Sequence, residues 1–407
     1  MPPIAVKLVI VTAFPPELSG WTASVPLGES LLFPGGQEPG HADLRLNSTL
    51  GVLGVTSGMG PTRAAASLLA LGFDDRFDLR FAYWLVAGIA GVDPIVGSIG
   101  SVFISRHLVS LGQGYQIDGT GYIPDNRKSV NFGPPLPSAD EAQRAGVYFE
   151  LDGSIASWVF QHASTTTLRD TPRLERARAG YTAANERAAR QPPSVRYGDS
   201  ATGETFWAGR VSTQWARNVT SYWSGGRATF AVSQEEDLAF AASIHALGRL
   251  QRANASRLAV LRSVSDYCYA PDGVELLNWF FHDPTHMCTD EAFEALVLAG
   301  TPVLRAVLSL PEEAFAAPAA AARAASRPLE TNAGGVVIVL PWGVAFLLLM
   351  VVFGVAPLAL AALGGIVLHR RRQRHKRAAS SVTSQQVRHE VHMMPMHVQL
   401  REERGGA

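Results

Sequence analysis

The 407-residue sequence predicts an α/β body with helices on both faces of a sheet, followed by a single C-terminal membrane-spanning helix. Two observations support this fold class. Short apolar runs typical of buried strands alternate with helical patterns through residue 266, as in α/β sheets. Further on, residues 333–368 contain no charged side chain, and about 20 apolar residues are enough to span a bilayer.

Each predicted element rests on its own periodicity. Strands are short apolar runs bounded by glycine or polar residues, whereas helices repeat apolar residues three and four positions apart. Pro61 favours a helix start, because its fixed backbone angle suits the first turn. Residues 110–195, rich in Pro, Gly and Arg, are predicted only as loops and helices that elaborate the body. In chain order the predicted strands cover 4–14, 51–60, 79–91, 97–105 and 257–266, and the predicted helices cover 61–73 and 235–250.

Composition divides the chain into four segments. Residues 1–312 form the predicted body, and 313–334 form an Ala/Pro-rich stalk too simple in sequence to build a core. The span follows at 335–368, and a polar, basic tail occupies 369–407. The tail carries nine Lys and Arg and three Asp and Glu. The first 368 residues therefore carry 26 Lys and Arg and 32 Asp and Glu, so that this part of the chain is acidic. An acidic body argues against nucleic acid as a partner, because phosphate binding needs a basic face.

The charge beside the span predicts its orientation. Six Lys and Arg lie between residues 369 and 377, and such clusters stay on the cytosolic side of a membrane. We therefore expect membrane lipid as a partner, a cytosolic tail and an extracellular or luminal body, at the plasma membrane. The Asn-x-Ser/Thr sequons at Asn47, Asn218 and Asn254 favour the same side and predict a glycoprotein. Residues 1–17 do not resemble a cleaved signal peptide, which conflicts with this orientation and favours a missing or unusual amino terminus.

The cysteines and histidines give weaker signals. Cys268 and Cys288 can pair in an oxidising compartment or stay free, and the sequence leaves both alternatives open. His282, His286 and Cys288 have a spacing that resembles metal ligands. Pro284 breaks the helix that would align them, so no metal site is expected.

Acidic and small residues follow several predicted strands. Glu17 comes just after the first strand, and the second strand leads into Gly58 and Gly60 at a predicted helix start. Backbone N–H groups at such a start favour an anion or a polarised water. Ligand sites of α/β folds lie at the carboxyl ends of the strands, so we expect one shared site. The candidates from the later elements are Gly88, Ala90, Gly91, Glu236 and Asp266.

The order of these motifs resembles the nucleoside phosphorylase and nucleosidase superfamily. Its hallmarks are a glycine turn before an Ala-rich helix, a G-x-A-G turn, a glutamate that opens a helix and a strand ending in R-x-x-S-D. Here they are Gly58-Met59-Gly60, Gly88-Ile89-Ala90-Gly91, Glu236 and Arg262 to Asp266. The resemblance implies a three-layer, nucleoside-phosphorylase-like body.

A closer resemblance is to the purine nucleoside permease family, over most of residues 5–310. The opening F-x-x-E-x-x-x-W motif is present as Phe14, Glu17 and Trp21. The stretch "FDLRFAYWLVAGIAGVDPIVGSIGSV" and the Glu-Asp helix start at 236–237 are similar as well. This resemblance implies that the protein binds purine nucleosides and takes them up across a membrane.

The resemblance also implies roles for individual residues. Asp266 would donate a proton to the purine, Glu236 would accept hydrogen bonds from the ribose hydroxyls, and Glu17 would orient or deprotonate a water. Either Phe206 or Trp207 would stack on the base.

Each role has a simpler alternative. Glu17 and Glu236 are also acids of the kind that stabilise the first turn of a helix, and Asp266 is a typical turn residue. The G-x-A-G turn carries Ile89 where the cleaving enzymes usually have a polar group. The arginines that phosphate-using members need are not identifiable, which puts phosphorolysis in more doubt than nucleoside binding.

Three functions therefore stay open. Uptake is favoured, and because one span cannot enclose a pore it would need a homo-oligomer of spans, a partner or capture at the surface. The first alternative is a membrane-anchored purine nucleosidase or nucleoside phosphorylase that cleaves the N-glycosidic bond. The second is a receptor that only binds nucleosides. No cofactor is expected, with phosphate left open as a co-substrate.

Overall fold

The computed structural model describes five ranges of the chain: residues 2–39, 43–113, 115–117, 129–131 and 139–316. The predicted span at 335–368 and the predicted tail lie outside these ranges, and the predicted stalk is described only to residue 316. Within the five ranges, no helix combines the length and the apolar character that a membrane crossing requires.

Sixteen strands lie in the described ranges. They are β1 (Ile4–Ala5), β2 (Leu8–Thr12), β3 (Glu29–Leu32), β4 (Asp43–Asn47), β5 (Val52–Thr56), β6 (Phe77–Asp78), β7 (Tyr83–Val92), β8 (Val102–Ile104), β9 (His107–Ser110), β10 (Tyr115–Ile117), β11 (Ser129–Asn131), β12 (Tyr148–Glu150), β13 (Val195–Tyr197), β14 (Asp199–Thr202), β15 (Phe230–Gln234) and β16 (Leu258–Tyr267). Every residue of β2 is buried, as expected for a strand covered on both faces, whereas β4 alternates exposed and buried residues.

The same ranges contain nine α-helices, some of which begin at a capping side chain. They are α1 (Pro15–Ser24), α2 (Pro61–Gly72), α3 (Ala139–Arg144), α4 (Gly153–Ala163), α5 (Pro172–Ala179), α6 (Arg210–Ser224), α7 (Asp237–Arg249), α8 (Leu276–His282) and α9 (Thr289–Leu308), with short 3₁₀ helices at Ala184–Glu186, Ala255–Arg257 and Glu312–Phe315. Asp152 caps α4 by accepting hydrogen bonds from two backbone N–H groups, and the Thr171 hydroxyl caps α5.

The predicted strands and helices are confirmed, with three differences. The strand predicted at 97–105 is limited to Val102–Ile104. The strand predicted at 4–14 is divided, because Ile4–Ala5 pairs with β6 in a separate two-stranded sheet. The segment 110–195, predicted only as loops and helices, also contains strands, and β12 pairs with β9 at the edge of the main sheet.

Four parallel strands form the centre of the main sheet in the order β16-β7-β2-β5. The first residues of β7 pair with β2, and its other side pairs with β16 along almost its whole length. Strands that run in one direction place their carboxyl ends at one edge of the sheet, which is where ligands bind in such folds.

Helices cover both faces of this sheet, as the three-layer prediction requires. On one face α2 and α7 pack against Val9 and Val11 of β2. On the other face α1, α4 and α9 pack against Leu8 and Ile10 of the same strand. Successive side chains of a strand point to opposite faces, so each central strand contributes to both cores.

Asp266 lies inside a strand. All ten residues of β16 are buried, and Asp266 pairs with Gly91 of β7 across an irregularity in register that follows Val264. The interpretation of Asp266 as a turn residue is therefore wrong. Irregularities of this kind change the direction of side chains, which is consistent with a carboxyl group that faces a cavity from within a sheet.

The last described helix returns to the start of the central strands. The Lys7 ammonium lies 2.5 Å from the Glu312 carboxylate and 5.3 Å from the centre of the Phe315 ring. The ring of Phe315 also packs edge-on against Tyr83, the first residue of β7. These contacts lie at the amino ends of β2 and β7.

Candidate functional site

A cavity of about 410 Å³ lies at the carboxyl ends of the central strands. Small-molecule sites typically have about 300–1,000 Å³, so a nucleoside-sized ligand fits. The lining comes from the loop after β2, the end of β7, the segment between β15 and α7, and β16. The charged residues that line it are Glu17, Glu235, Glu236, Arg262 and Asp266.

Glu17 is held by backbone groups from two strands. It lies in the first turn of α1 with only 1% of its surface exposed. One carboxylate oxygen accepts the N–H of Ala13 at 2.7 Å, and the other accepts the N–H of Ile89 at 2.7 Å. Since Ile89 belongs to β7, Glu17 does more than stabilise its own helix. Its carboxyl group joins the ends of two parallel strands at the cavity.

Glu236 is the residue that precedes α7, but its side chain makes no hydrogen bond to that helix. Instead it accepts the backbone N–H of Gly60 at 3.1 Å and an N–H of Arg262 at 3.1 Å. The simpler interpretation, a first-turn acid that stabilises its own helix, therefore does not describe its contacts. Gly60 thus serves the site by fixing Glu236.

Arg262 is the charged centre of the site and is 1% exposed. Its guanidinium donates to Asp237 at 2.6 and 3.0 Å, to Glu236 at 3.1 Å and to the carbonyl of Ile89 at 3.0 Å. Glu17 lies further away, 4.0 Å from the nearest guanidinium nitrogen. One buried cation therefore faces three buried carboxyl groups.

Burial makes both glutamates hold protons more tightly than they would in water. Removal from water raises the pKa of Glu17 to about 7, although Arg262 opposes this rise. Burial also raises the pKa of Glu236, and Arg262 again opposes it. For these two glutamates, the charge of Arg262 does not compensate for the loss of water.

In the described part of the chain, no cation is among the groups that shift the pKa of Asp266. Burial raises its pKa to about 6, and a hydrogen bond from the Ser265 hydroxyl at 2.7 Å opposes the rise. A Cβ atom on Gly91 would come within 2.8 Å of the Asp266 carboxylate, so a glycine is needed opposite it. The arrangement gives a carboxyl group that can exchange a proton near neutral pH.

The small residues predicted for the site divide into two groups. Ala90 and Gly91 line the cavity, whereas Gly58, Gly60 and Gly88 do not. A Cβ atom on Gly88 would lie 2.3 Å from an Arg262 nitrogen and 2.7 Å from a Glu17 oxygen. Gly88 therefore leaves room for the buried charges behind the cavity.

The two aromatic candidates have different surroundings. Phe206 lines the cavity, is 50% exposed and contacts Phe280 with 5.4 Å between ring centres. Trp207 lines only a small adjoining recess of about 20 Å³ and packs against Phe230. Of the two residues proposed for stacking, Phe206 is the one whose side chain borders the main cavity.

Sequence reasoning missed two charged residues. Glu235 lines the cavity, and burial raises its pKa to about 6, with Glu236 and Glu204 adding to the rise. Arg262 appeared only as a letter of the R-x-x-S-D motif. Its signal was present, because an arginine within an otherwise buried apolar strand requires acidic partners.

Cys268 and Cys288 are both buried and free, so the pairing alternative is not realised. His286 packs between the rings of Trp279 and Phe280. In the described part of the chain, no group of three or more His, Cys, Asp and Glu side chains is placed to hold a metal ion.

Comparison with protein families decides the identity of the chain. The family model described as purine nucleoside permease matches residues 5–319. The chain belongs to the purine nucleoside permease family. Family members with curated descriptions are distant: a purine nucleoside permease of Candida albicans is 27% identical over 308 residues, which cover 74% of this chain and 75% of that one. A probable purine nucleoside permease of Schizosaccharomyces pombe is 24% identical over 326 residues, covering 73% and 88%.

Solved structures similar to this member of the permease family include nucleosidases. The MTA/SAH nucleosidase of Streptococcus pneumoniae, in complex with 8-aminoadenine, is 18% identical, with a TM-score of 0.45 over 75% of this chain and all of that chain. The 5'-methylthioadenosine/S-adenosylhomocysteine nucleosidase of Neisseria meningitidis, in complex with methylthio-immucillin-A, is 16% identical, with a TM-score of 0.44.

Proposed function

We propose that the body binds purine nucleosides in the 410 Å³ cavity and serves their uptake across a membrane. The observation that carries this proposal is the set of buried carboxyl groups, Glu17, Glu236 and Asp266, that line one cavity together. Sugar hydroxyls and base nitrogens are hydrogen-bonding groups that such carboxyl groups recognise. Membership in the purine nucleoside permease family supports the same substrate class and uptake.

Each part of a nucleoside has a matching part of the cavity. Asp266, with a pKa of about 6, faces the purine, and Phe206 stacks on it. Glu236 accepts hydrogen bonds from the ribose hydroxyls, and Glu17 lies next to it across Arg262. Ala90 and Gly91 let the ligand approach the backbone of β7.

The charge of the lining favours neutral nucleosides over nucleotides and over phosphate. Among the described residues that line the cavity, Arg262 is the single cation, beside four acids. Its N–H groups already donate to Asp237, Glu236 and Ile89. A phosphate group would meet unpaired carboxylates and no free guanidinium, so phosphorolysis is disfavoured.

We place the protein in a membrane with its body extracellular or luminal and its tail cytosolic. The uncharged run at 333–368 and the six cations that follow it support this single-pass topology. One span cannot form a pore, so uptake requires a homo-oligomer of spans, a partner protein or capture at the surface.

A membrane-anchored nucleosidase is the second candidate function. It is favoured by two titratable groups in one cavity, Glu17 with a pKa of about 7 and Asp266 with a pKa of about 6. General acid–base catalysis is most effective when such values lie near the working pH. In that case Asp266 protonates the leaving purine while Glu17 activates water.

The experiment follows the fate of labelled nucleoside. Cells that express the full chain are given inosine labelled in both base and ribose, and the purified body is incubated with the same inosine, with and without phosphate. Uptake predicts both labels inside the cells in equal amounts and no free hypoxanthine from the purified body. Release of free hypoxanthine by the purified body would reject the uptake function and support the nucleosidase function.

Inosine monophosphate serves as the matched control ligand, since it differs from inosine only by the phosphate group. Calorimetry should show binding of inosine and none of the monophosphate. Absence of inosine binding to a folded body would reject the proposed function altogether. Binding without uptake or cleavage would leave the receptor alternative.

A further inference from the structure

We propose that Asp237 is a positioning residue, which binds Arg262 behind the cavity and so keeps the guanidinium from forming a hydrogen bond with the Glu17 carboxyl group. Asp237 has no exposed surface and does not line the cavity. It therefore acts on the ligand site only through the guanidinium that it holds.

The division of the Arg262 donors supports this role. Both Nε and Nη2 point to one oxygen of Asp237, at 3.0 and 2.6 Å. Glu236 receives a longer bond of 3.1 Å, and Glu17 is 4.0 Å away without a hydrogen bond. Asp237, which lies outside the cavity, thus has the shortest contact with Arg262. Glu17, which would orient or deprotonate water, has the longest.

Asp237 is itself fixed from the side opposite Arg262. Its second oxygen accepts the Ser200 hydroxyl at 2.7 Å, and that hydroxyl accepts an N–H of Gln234 at 2.8 Å. The side-chain amide oxygen of Gln234 also accepts the backbone N–H of Asp237 at 2.8 Å. These hydrogen bonds fix the orientation of the Asp237 carboxylate, so the guanidinium of Arg262 stays next to Asp237.

Among the charged groups around Glu17, Arg262 has the largest effect on the pKa of its carboxyl group. The elements around it supply the charges of Arg262 from β16 and Glu236 from the start of α7, and backbone N–H groups from Ala13 and Ile89. From α9, which packs against α1, Phe293 and Val297 contribute apolar contacts. Across the cavity, Asp266 and Glu235 add further acids and no cation.

Removal of the Asp237 charge should therefore release Arg262 toward Glu17. An opposite charge at close range lowers the pKa of a carboxyl group by about 1–3 units. In Asp237→Asn we expect Glu17 to lose its proton at least about one pH unit lower than in the unmodified protein. Asp237→Glu keeps the charge, so in this variant Glu17 should titrate close to where it does in the unmodified protein.

The test is a carbon-13 NMR titration of the ligand-free body with labelled glutamate, in which Glu17→Gln assigns the signal of Glu17. The benefit of a protonatable Glu17 rests on the proposed function, but this measurement needs no ligand. Failure of nucleoside binding would leave the titration result intact. An unchanged Glu17 titration in folded Asp237→Asn overturns the inference.

A second variant covers the case in which Asp237→Asn does not fold. Ser200→Ala removes the hydroxyl that fixes Asp237 and keeps all charges in place. We expect a smaller displacement of the Glu17 titration in the same direction. If Asp237→Asn is unfolded and Ser200→Ala titrates like the unmodified protein, the positioning role is rejected.

Discussion

Two cavities of similar size lie at opposite edges of the central sheet, and they use the same residue types differently. The cavity at the carboxyl edge has about 410 Å³, and the one at the amino edge has about 360 Å³. At the amino edge each acid has its own arginine: Asp78 pairs with Arg80 at 2.7 Å, and Asp75 pairs with Arg252 at 3.0 Å. At the carboxyl edge one arginine serves three acids.

The consequence is opposite shifts in the pKa of similar groups. The hydrogen bond from Arg80 lowers the pKa of Asp78, which is partly exposed. Burial raises the pKa of Glu17 and Asp266 into the neutral range. A carboxylate that is always ionised is suited to solubility and local structure, whereas one that exchanges its proton is suited to ligand chemistry. The number of cations per acid, together with burial, separates the two cavities.

The largest effect is expected from Arg262→Met. Three buried carboxyl groups would lose their shared cation, which typically costs about 3–5 kcal/mol. The matched variant at the amino edge, Arg80→Met, should lower the free energy of unfolding by less than about 1 kcal/mol, because that pair is exposed. Urea unfolding of both variants at neutral pH measures the contrast. Equal losses would show that the two edges do not differ in the proposed way.

Glu17→Gln should reveal the cost of ionising a buried acid. The folded protein holds this proton up to about pH 7, while the unfolded chain releases it near 4.5. The stability of the unmodified protein therefore falls as pH rises through this window, by up to about 3 kcal/mol, and the variant lacks this fall. The measurement compares unfolding free energies at about pH 5 and about pH 8.

Asp78→Asn is the control for that pH dependence. Its lowered pKa means that its stabilising effect is present above 3.8 and is lost only as pH falls through the lower folded value. The loss of stability in Asp78→Asn should therefore be the same at both pH values. If Glu17→Gln behaves in the same way, the raised pKa of Glu17 is contradicted.

Asp266→Asn should weaken inosine binding by at least about tenfold, or about 1.4 kcal/mol. If the protonated acid donates to the purine, affinity of the unmodified protein should fall as pH rises through about 6, and the variant should lose this dependence. Asp75→Asn at the amino edge should leave affinity unchanged. Calorimetric titration across this range tests both variants, and equal affinities would place the nucleoside elsewhere.

The smallest effect is expected from the aromatic side chains. Phe206 and Phe73 are 50% and 51% exposed, and they lie beside the two different cavities. Loss of stacking in Phe206→Ala should weaken inosine binding about threefold to tenfold. Phe73→Ala should have no effect on binding, although it removes an equally exposed ring. A similar loss in both would indicate a non-specific effect of surface aromatics.

The sequence predicts the sheet well because buried parallel strands have nearly continuous apolar sequences, as β2 and the first four residues of β16 do. It predicts the acids of the cavity through their positions after strands and before helices. It does not predict the network of Arg262, because the groups around this residue come from three separate parts of the chain: the start of α1, β7 and the adjacent pair Glu236 and Asp237. Nor does it distinguish Phe206 from Trp207, since only the fold determines which of two neighbouring side chains faces a cavity.

The contact of Lys7 with Glu312 and Phe315 has a mechanical consequence. Any pull on the chain beyond residue 316 enters the body beside the amino ends of β2 and β7. The residues that face the cavity lie at the other end of these strands, about 17 Å away along a five-residue strand. The contacts that Lys7 and Tyr83 make with this last segment are therefore about one strand length from the cavity.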